Sequence, residues 1–297
     1  MKLSPELLAA IRAGDLNANR VAADALLEAG DARAQAVIDG VTRAMRPNPA
    51  TRAEIEKRTP PREPVSALIS LGALDCRFRN GFVDEVHLSE ASISQLPAML
   101  ELEPIRALRV DVSTGVELAK MMSSEAFSVI RRLTVTNPEP MVRALSTALP
   151  ELTDFIARTP LAYSPKLLSL LPALRSLYLT SPPSDEWLQV AHGPTVKWLS
   201  MPGAPLTREA IAMLATSSSA IEQLNLGVPR SGSSTAILRS TSLASLHTFC
   251  VGDSARRALE VVPPRAIALP ALRQLRGAGR VTRQERAALV SKGIRLS

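Results

Sequence analysis

One apolar frame recurs along this chain and limits what it can fold into. Written apolar-x-x-apolar-x-apolar, it appears at Val83, Val86, Leu88, at Ile105, Leu108, Val110, at Ile130, Leu133, Val135, and at Leu152, Phe155, Ala157. It returns at Leu174, Leu177, Leu179, at Val196, Leu199, Met201, at Ile221, Leu224, Leu226, at Leu246, Phe249, Val251, and weakly at Leu272, Leu275, Gly277. Successive starts lie 22 to 26 residues apart. One such match means little, because apolar residues at these spacings are common. Nine in order within so narrow a window are hard to obtain by chance. A period in the range of roughly 20–50 residues marks units that cannot bury their apolar face alone and must stack on their neighbours. Ile294-Arg295-Leu296 supplies a closing strand.

Between the strands lie helix-like segments: Ser123 to Ile130, Pro140 to Leu149, Pro165 to Leu171, Asp185 to Ala191, Thr207 to Ala215, Ala255 to Val262 and Thr282 to Lys292. Strand followed by helix, repeated, predicts an α/β chain with a curved parallel sheet and a helical convex side. Aromatic residues make up only 3% of the 297, so the core must be aliphatic.

The first 46 residues read as short helices. Ser4 caps a helix with Pro5 at its first position, and Leu7, Leu8 and Ile11 fall at helical spacing. Asn17 or Asn19 is expected to open a second helix that ends before Gly30, and Asp31 to cap a third through Ala36, Val37 and Val41. Prolines 47, 49, 60, 61 and 64 then crowd together, with room for one or two helical turns over Thr51–Lys57. The expected organisation is a helical domain over 1–46, a proline-rich junction and entry over 47–80, and a repeat array over 81–297.

The hexad and its period resemble those of leucine-rich repeat proteins over residues 83–297. The family's asparagine, three residues after the third apolar position, is replaced here by Ala91, Ser113, Pro138, Pro160, Pro182, Ala204, Pro229, Ser254 and Arg280. Proline removes a backbone donor, which lessens the need for an asparagine ladder. The N-terminus resembles the bacterial repeat-companion domain, often found ahead of such repeats, through Leu7-Leu8-Ala9-Ala10-Ile11-Arg12, Val21, Ala23-Asp24, Leu26, Glu28, Gly30-Asp31 and Arg33. The family's aromatic pair is replaced by Ala22 and Ala25, and Phe78-Arg79-Asn80-Gly81-Phe82-Val83 is similar to the entry into the first repeat. The resemblance implies a leucine-rich repeat solenoid behind a small helical domain, in a bacterial host, and no particular reaction.

Charge is unevenly spread. The formal net charge is +7, but residues 1–62 carry +2, residues 63–254 carry −3 and residues 255–297 carry +8. The C-terminal basic groups are Arg256, Arg257, Arg265, Arg273, Arg276, Arg280, Arg283, Arg286, Lys292 and Arg295. They could bind phosphates or form the polar cap that a terminal repeat needs. No aromatic interleaves them, so stacking platforms for single strands are absent. The N-terminal sequence has no apolar signal region and no run long enough to span a membrane, so with two distant cysteines the chain is expected to be reduced and cytoplasmic.

Catalytic signals are weak. Cys76 and Cys250 lack a histidine in a nucleophile arrangement, and His87, His192 and His247 show no metal spacing. Glu85 and His87 share a strand face and could form an acid–base pair, although solvated side chains are the simpler reading. No enzyme activity, cofactor or metal is expected. The strand residues between the apolar positions instead suggest a binding face. One column reads His87, Arg109, Thr134, Ile156, Tyr178, Ser200, Asn225, Cys250, Arg276; the other reads Glu85, Ala107, Arg132, Asp154, Ser176, Trp198, Gln223, Thr248, Gln274. Tyr178 and Trp198 fall on adjacent strands, and Tyr, Trp and Arg dominate interface hot spots. Either the two aromatics cover each other on a polar sheet, or Arg109, Arg132, Asp154, Tyr178 and Trp198 line a face that binds a protein or peptide. A nucleic-acid role for 255–297 is the alternative, and an enzyme comes third.

Overall fold

A computed structural model describes residues 2–45, 63–145, 147–158, 169–180, 195–201, 208–216, 220–226, 233–251, 262–277 and 281–296. The protein is α/β. Its strands are β1 Ala73–Arg79, β2 Phe82–Ser89, β3 Ala107–Asp111, β4 Arg132–Val135, β5 Asp154–Ala157, β6 Ser176–Leu179, β7 Trp198–Met201, β8 Gln223–Leu226, β9 Thr248–Val251, β10 Gln274–Arg276 and β11 Arg295–Leu296. Strand order in the sheet is chain order. β1 runs antiparallel to β2, while β2–β3 and the pairings from β5 to β11 are parallel. Contacts divide the chain into two compact units, Met1–Thr134 and Val135–Ser297.

The first unit opens with three helices, α1 Pro5–Ala13, α2 Leu16–Glu28 and α3 Arg33–Met45. Ser4 Oγ accepts from the Leu7 N–H at 3.2 Å, and Gly14, at φ +87°, closes α1. α2 starts earlier than Asn17 or Asn19 would allow, because Asp15 takes the cap and accepts from the Asn17 N–H at 2.8 Å. Asn19 is instead buried within α2 and donates through Nδ2 to the Asp15 carbonyl. Gly30, at φ +65°, follows α2, and Asp31 Oδ1 accepts from the Arg33 N–H at 3.0 Å ahead of α3. The Thr51–Lys57 turn and most of the proline-rich stretch lie outside the described residues.

α4, Glu63–Ser70, leads into the β1–β2 hairpin. Asn80 (φ +51°) and Gly81 (φ +83°) form its two-residue turn, the left-handed pair that suits the twist of antiparallel strands. This turn packs tightly on α3. A Cβ on Gly81 would meet the Val37 nitrogen at 2.5 Å, and one on Gly40 would lie 2.3 Å from Asn80 Cα. Phe82, at the start of β2, joins Leu8, Ile11, Ala22, Leu26 and Val37 in one apolar cluster. Full burial of each large apolar side chain contributes about 1.5–3 kcal/mol, so this cluster holds the helices to the hairpin.

Two buried carboxylates complete the unit. Glu103 Oε2 accepts from the Val83 N–H at 3.1 Å, and Oε1 pairs with Arg33 at 3.2 Å, which also grips Asp31 at 2.8 Å. Burial pushes the Glu103 carboxyl up to about 7, against the pull of the Val83 N–H and Arg33. Glu90 reaches forward to the start of α6, Val116–Met122, which follows α5, Leu96–Leu102. Its oxygens accept from the N–H groups of Ser113, Thr114 and Glu117 and from the hydroxyls of Ser113 and Thr114, at 2.8 to 3.2 Å. The first N–H groups of a helix have no partner within it, and a carboxylate there also meets the positive end of the helix dipole. A 3-10 turn, Glu125–Val129, stands where a helix over Ser123–Ile130 was expected.

In the second unit the strands stack in step. Phe155, Leu177, Leu199, Leu224, Phe249, Leu275 and Leu296 follow one another as cross-strand partners from β5 to β11. Every hexad residue with a described side chain is buried, except Gly277. The helices here are α7 Pro138–Ala144, α8 Arg208–Thr216, α9 Ser233–Leu238 and α10 Arg283–Ser291. α7 begins two residues before Pro140, because Pro138 suits a first helical turn, and it ends at Ala144 rather than at Leu149. Thr282 and Glu285 form a reciprocal capping box on α10, and β11 closes the ladder against β10. The helical stretch expected over Asp185–Ala191 lies outside the described residues, as do most of Pro165–Leu171 and nearly all of Ala255–Val262.

Glu90 sets a stability test. Burial raises its carboxyl, but the Ser113 hydroxyl and the N–H groups of Ser113, Gly115 and Thr114 outweigh this and hold it at about 2, below its ordinary 4.5. A folded-state value below the unfolded one means stability present above pH 4.5 and lost as pH falls toward 2. Glu90→Ala leaves buried donors unpaired and is expected to cost about 2–4 kcal/mol at pH 7 by urea denaturation. Glu90→Gln should cost less and flatten part of the acid limb; an unchanged acid limb would contradict this assignment.

Candidate partner-binding face

Strand side chains alternate between the two sides of a sheet, so residues between the buried positions stand on the opposite face. In the second unit, register fixes two rows on that face. One runs Asp154, Ser176, Trp198, Gln223, Thr248, Gln274, Arg295; the other runs Ile156, Tyr178, Ser200, Asn225, Cys250, Arg276. These are the columns expected from the hexad spacing. Trp198 stands 50% exposed between Ser176 and Gln223, which is unusual for the largest apolar side chain on a polar row. Tyr178 is half-buried and pairs with Ser200, so it lies diagonal to Trp198 rather than directly opposite. Asn225 Nδ2 donates to Ser200 Oγ at 3.0 Å, and the Thr153 hydroxyl donates to Asp154 at 2.7 Å. The face is therefore polar and partly ordered by its own hydrogen bonds.

Arg109 and Arg132 belong to the first unit, while Asp154, Tyr178 and Trp198 belong to the second. Arg109 pairs in register with His87, and its Nε is buried with no hydrogen-bond partner among the described residues. Arg132 is exposed. Glu85 and His87 do not pair with each other. His87 Nε2 lies 2.8 Å from Asp111, on the next strand, and Glu85 lies 3.5 Å from Arg77, on the previous one. Alternate residues of one strand stand too far apart for this contact, whereas cross-strand neighbours meet.

The network of Arg33, Glu103 and Glu90 was not anticipated, although Asp31 was expected as a helix cap. Their partners lie 20 to 70 residues away, apart from the local Asp31–Arg33 pair, so no motif in the chain announces them. They hold backbone and helix ends rather than open onto solvent. A cavity of about 340 Å³ in the first unit is lined by Ile11, Leu16, Asn19, Asn80, Phe82 and Arg106, among others. Arg106 is already tied to Asp84 at 2.7 Å. At the C-terminal end, Lys292 donates to the carbonyls of Arg265 and Ile267, and Arg273 to those of Pro270 and Leu272. Arg256, Arg257 and Arg280 lie outside the described residues. Among the described residues there is no group of three or more metal-ligating side chains, and no helix is long and apolar enough to cross a membrane.

Burial, with the Asp75 carboxylate adding to it, pushes the Cys76 thiol up to about 11, and burial also raises Cys250. A thiolate, not a thiol, is the nucleophile. Alkylation of Cys76 by iodoacetamide is therefore expected to keep accelerating up to about pH 11, where an ordinary thiol would level off near pH 9. A plateau by pH 9, read by mass spectrometry of the native protein, would contradict this.

No protein-family description, curated protein or solved structure matches this chain.

Proposed function

We propose that this chain is a bacterial, cytoplasmic leucine-rich repeat protein, a solenoid behind an N-terminal module of the repeat-companion type. It acts as a non-catalytic scaffold that binds a protein or peptide on the polar face of its strands. Its partner-binding residues are Arg109, Arg132, Asp154, Tyr178 and Trp198. The observation that carries this reading is the half-exposed Trp198, set among Ser176, Gln223 and Asp154 on an ordered polar row. A tryptophan left half in water keeps a large apolar area to bury on binding, at small cost in side-chain entropy. The arrangement also supplies short polar contacts around that anchor, as interface rims do.

Two of the C-terminal basic groups, Lys292 and Arg273, favour a capping role over a phosphate-binding one. Lys292 places its ammonium on the carbonyls of Arg265 and Ile267, and Arg273 its guanidinium on those of Pro270 and Leu272.

Affinity capture from native bacterial cytosol tests the proposal. Wild type is expected to retain a protein band that Tyr178→Ala/Trp198→Ala loses, with unchanged circular dichroism in the double variant. Retention that is unaffected by the double substitution would contradict it, and recovery abolished by nuclease would place nucleic acid ahead of protein.

A further inference from the structure

β1 stands at the end of the strand order, and among the described residues β2 is its only neighbour in the sheet. Such an edge offers unpaired N–H and C=O groups and is a template for another strand. The Cys76 N–H points to that open side: it donates to Asp75 Oδ1 at 2.8 Å rather than to β2. By alternation Phe78 shares its direction. Asp75, Arg77 and Arg79 are exposed, while Cys76 and Phe78 are half-buried on the other face. Leu74 is 57% exposed and Ile69, just before it in the chain, 54%.

We propose that a second copy of this chain pairs along β1, antiparallel, about a two-fold axis at Cys76. Charge selects this register. A two-fold axis at Arg77 would set that arginine against itself. One at Phe78 would set Arg77 against Arg79 twice, and one at Asp75 would oppose two carboxylates. At Cys76, each Asp75 faces the second copy's Arg77, so two opposite-charge pairs form with no like charges opposed, while Leu74 falls in the irregularity beyond them. In the single chain, Asp75 shields the outward N–H of Cys76. On pairing, that N–H passes to the second copy's Cys76 carbonyl and the carboxylate turns to Arg77. The irregularities between Ala73 and Asp75 and between Arg77 and Phe78 limit the ladder to a few residues, which makes the association reversible.

Sedimentation of the full chain tests this, with circular dichroism to confirm that each variant is folded. Wild type should dimerise at tens of micromolar and more weakly at high salt, as screened ion pairs require. Asp75→Arg alone and Arg77→Asp alone should each weaken the dimer by about tenfold or more, because attraction becomes repulsion at both pairs. Asp75→Arg/Arg77→Asp restores opposite charges between the copies and should associate clearly more tightly than either single variant, short of full recovery because the carboxylate introduced by Arg77→Asp would then adjoin Glu85. Wild type that stays monomeric up to about 200 μM, roughly a 5 kcal/mol association limit, would overturn the proposal. So would single variants that associate normally, or a double variant no better than the singles.

Discussion

In-step stacking of short strands is the constraint on which the second unit depends. Each of β5 to β11 contributes two to four residues, too few to hold a strand in place alone. What fixes them is the ladder from Phe155 through Leu199 to Leu296, in which each side chain lies against its equivalents on neighbouring strands. A slip of one residue in any strand would turn its leucine to water and its polar neighbours inward. The same register that buries Leu199 presents Trp198 and Ser200 to the other sides of their strand. Ser200 escapes water by pairing with Asn225, and Trp198 has no comparable cover.

The first unit solves a different problem, the beginning of a parallel sheet. Its first strand pair is a hairpin, and the Asn80-Gly81 turn seats directly on α3, where Gly40 leaves room for it. Glu103 then joins the helices to the sheet, one oxygen on the Val83 N–H and the other on Arg33. Removing either partner would strand a buried polar group, which costs more than the pair itself contributes. Glu90 plays the equivalent part further on, where it receives the loop that starts α6.

The strand positions and their register were legible because they rest on a repeated apolar spacing, a signal that adds up over nine occurrences. The caps at Ser4, Gly30 and Asp31 were legible because their chemistry is local. The cap at Asp15 was missed in favour of Asn17 and Asn19, although an acidic residue directly after the Gly14 stop is an equally good signal. The hairpin also left a readable mark, Asn-Gly between two strand-like runs, which the parallel pattern downstream obscured. The helices Leu96–Leu102 and Val116–Met122 were not legible. Each is only seven residues long, and the second is held at its start by Glu90, a residue distant in sequence. Of the proposed binding face, the two rows could be read in advance. The exposure of Trp198 could not, since it depends on how little its neighbours cover it.

The central claim is that Leu199 and Trp198, adjacent in the chain, differ in kind: one holds the fold and the other faces outward, where the proposed partner would meet it. Comparing the urea stabilities of Leu199→Ala and Trp198→Ala tests it most directly. Leu199→Ala should cost about 2–5 kcal/mol, as deletion of a fully buried leucine does, while Trp198→Ala should stay within about 0.5 kcal/mol of wild type. A loss at Trp198 as large as that at Leu199 would contradict the account, because the tryptophan would then belong to the core.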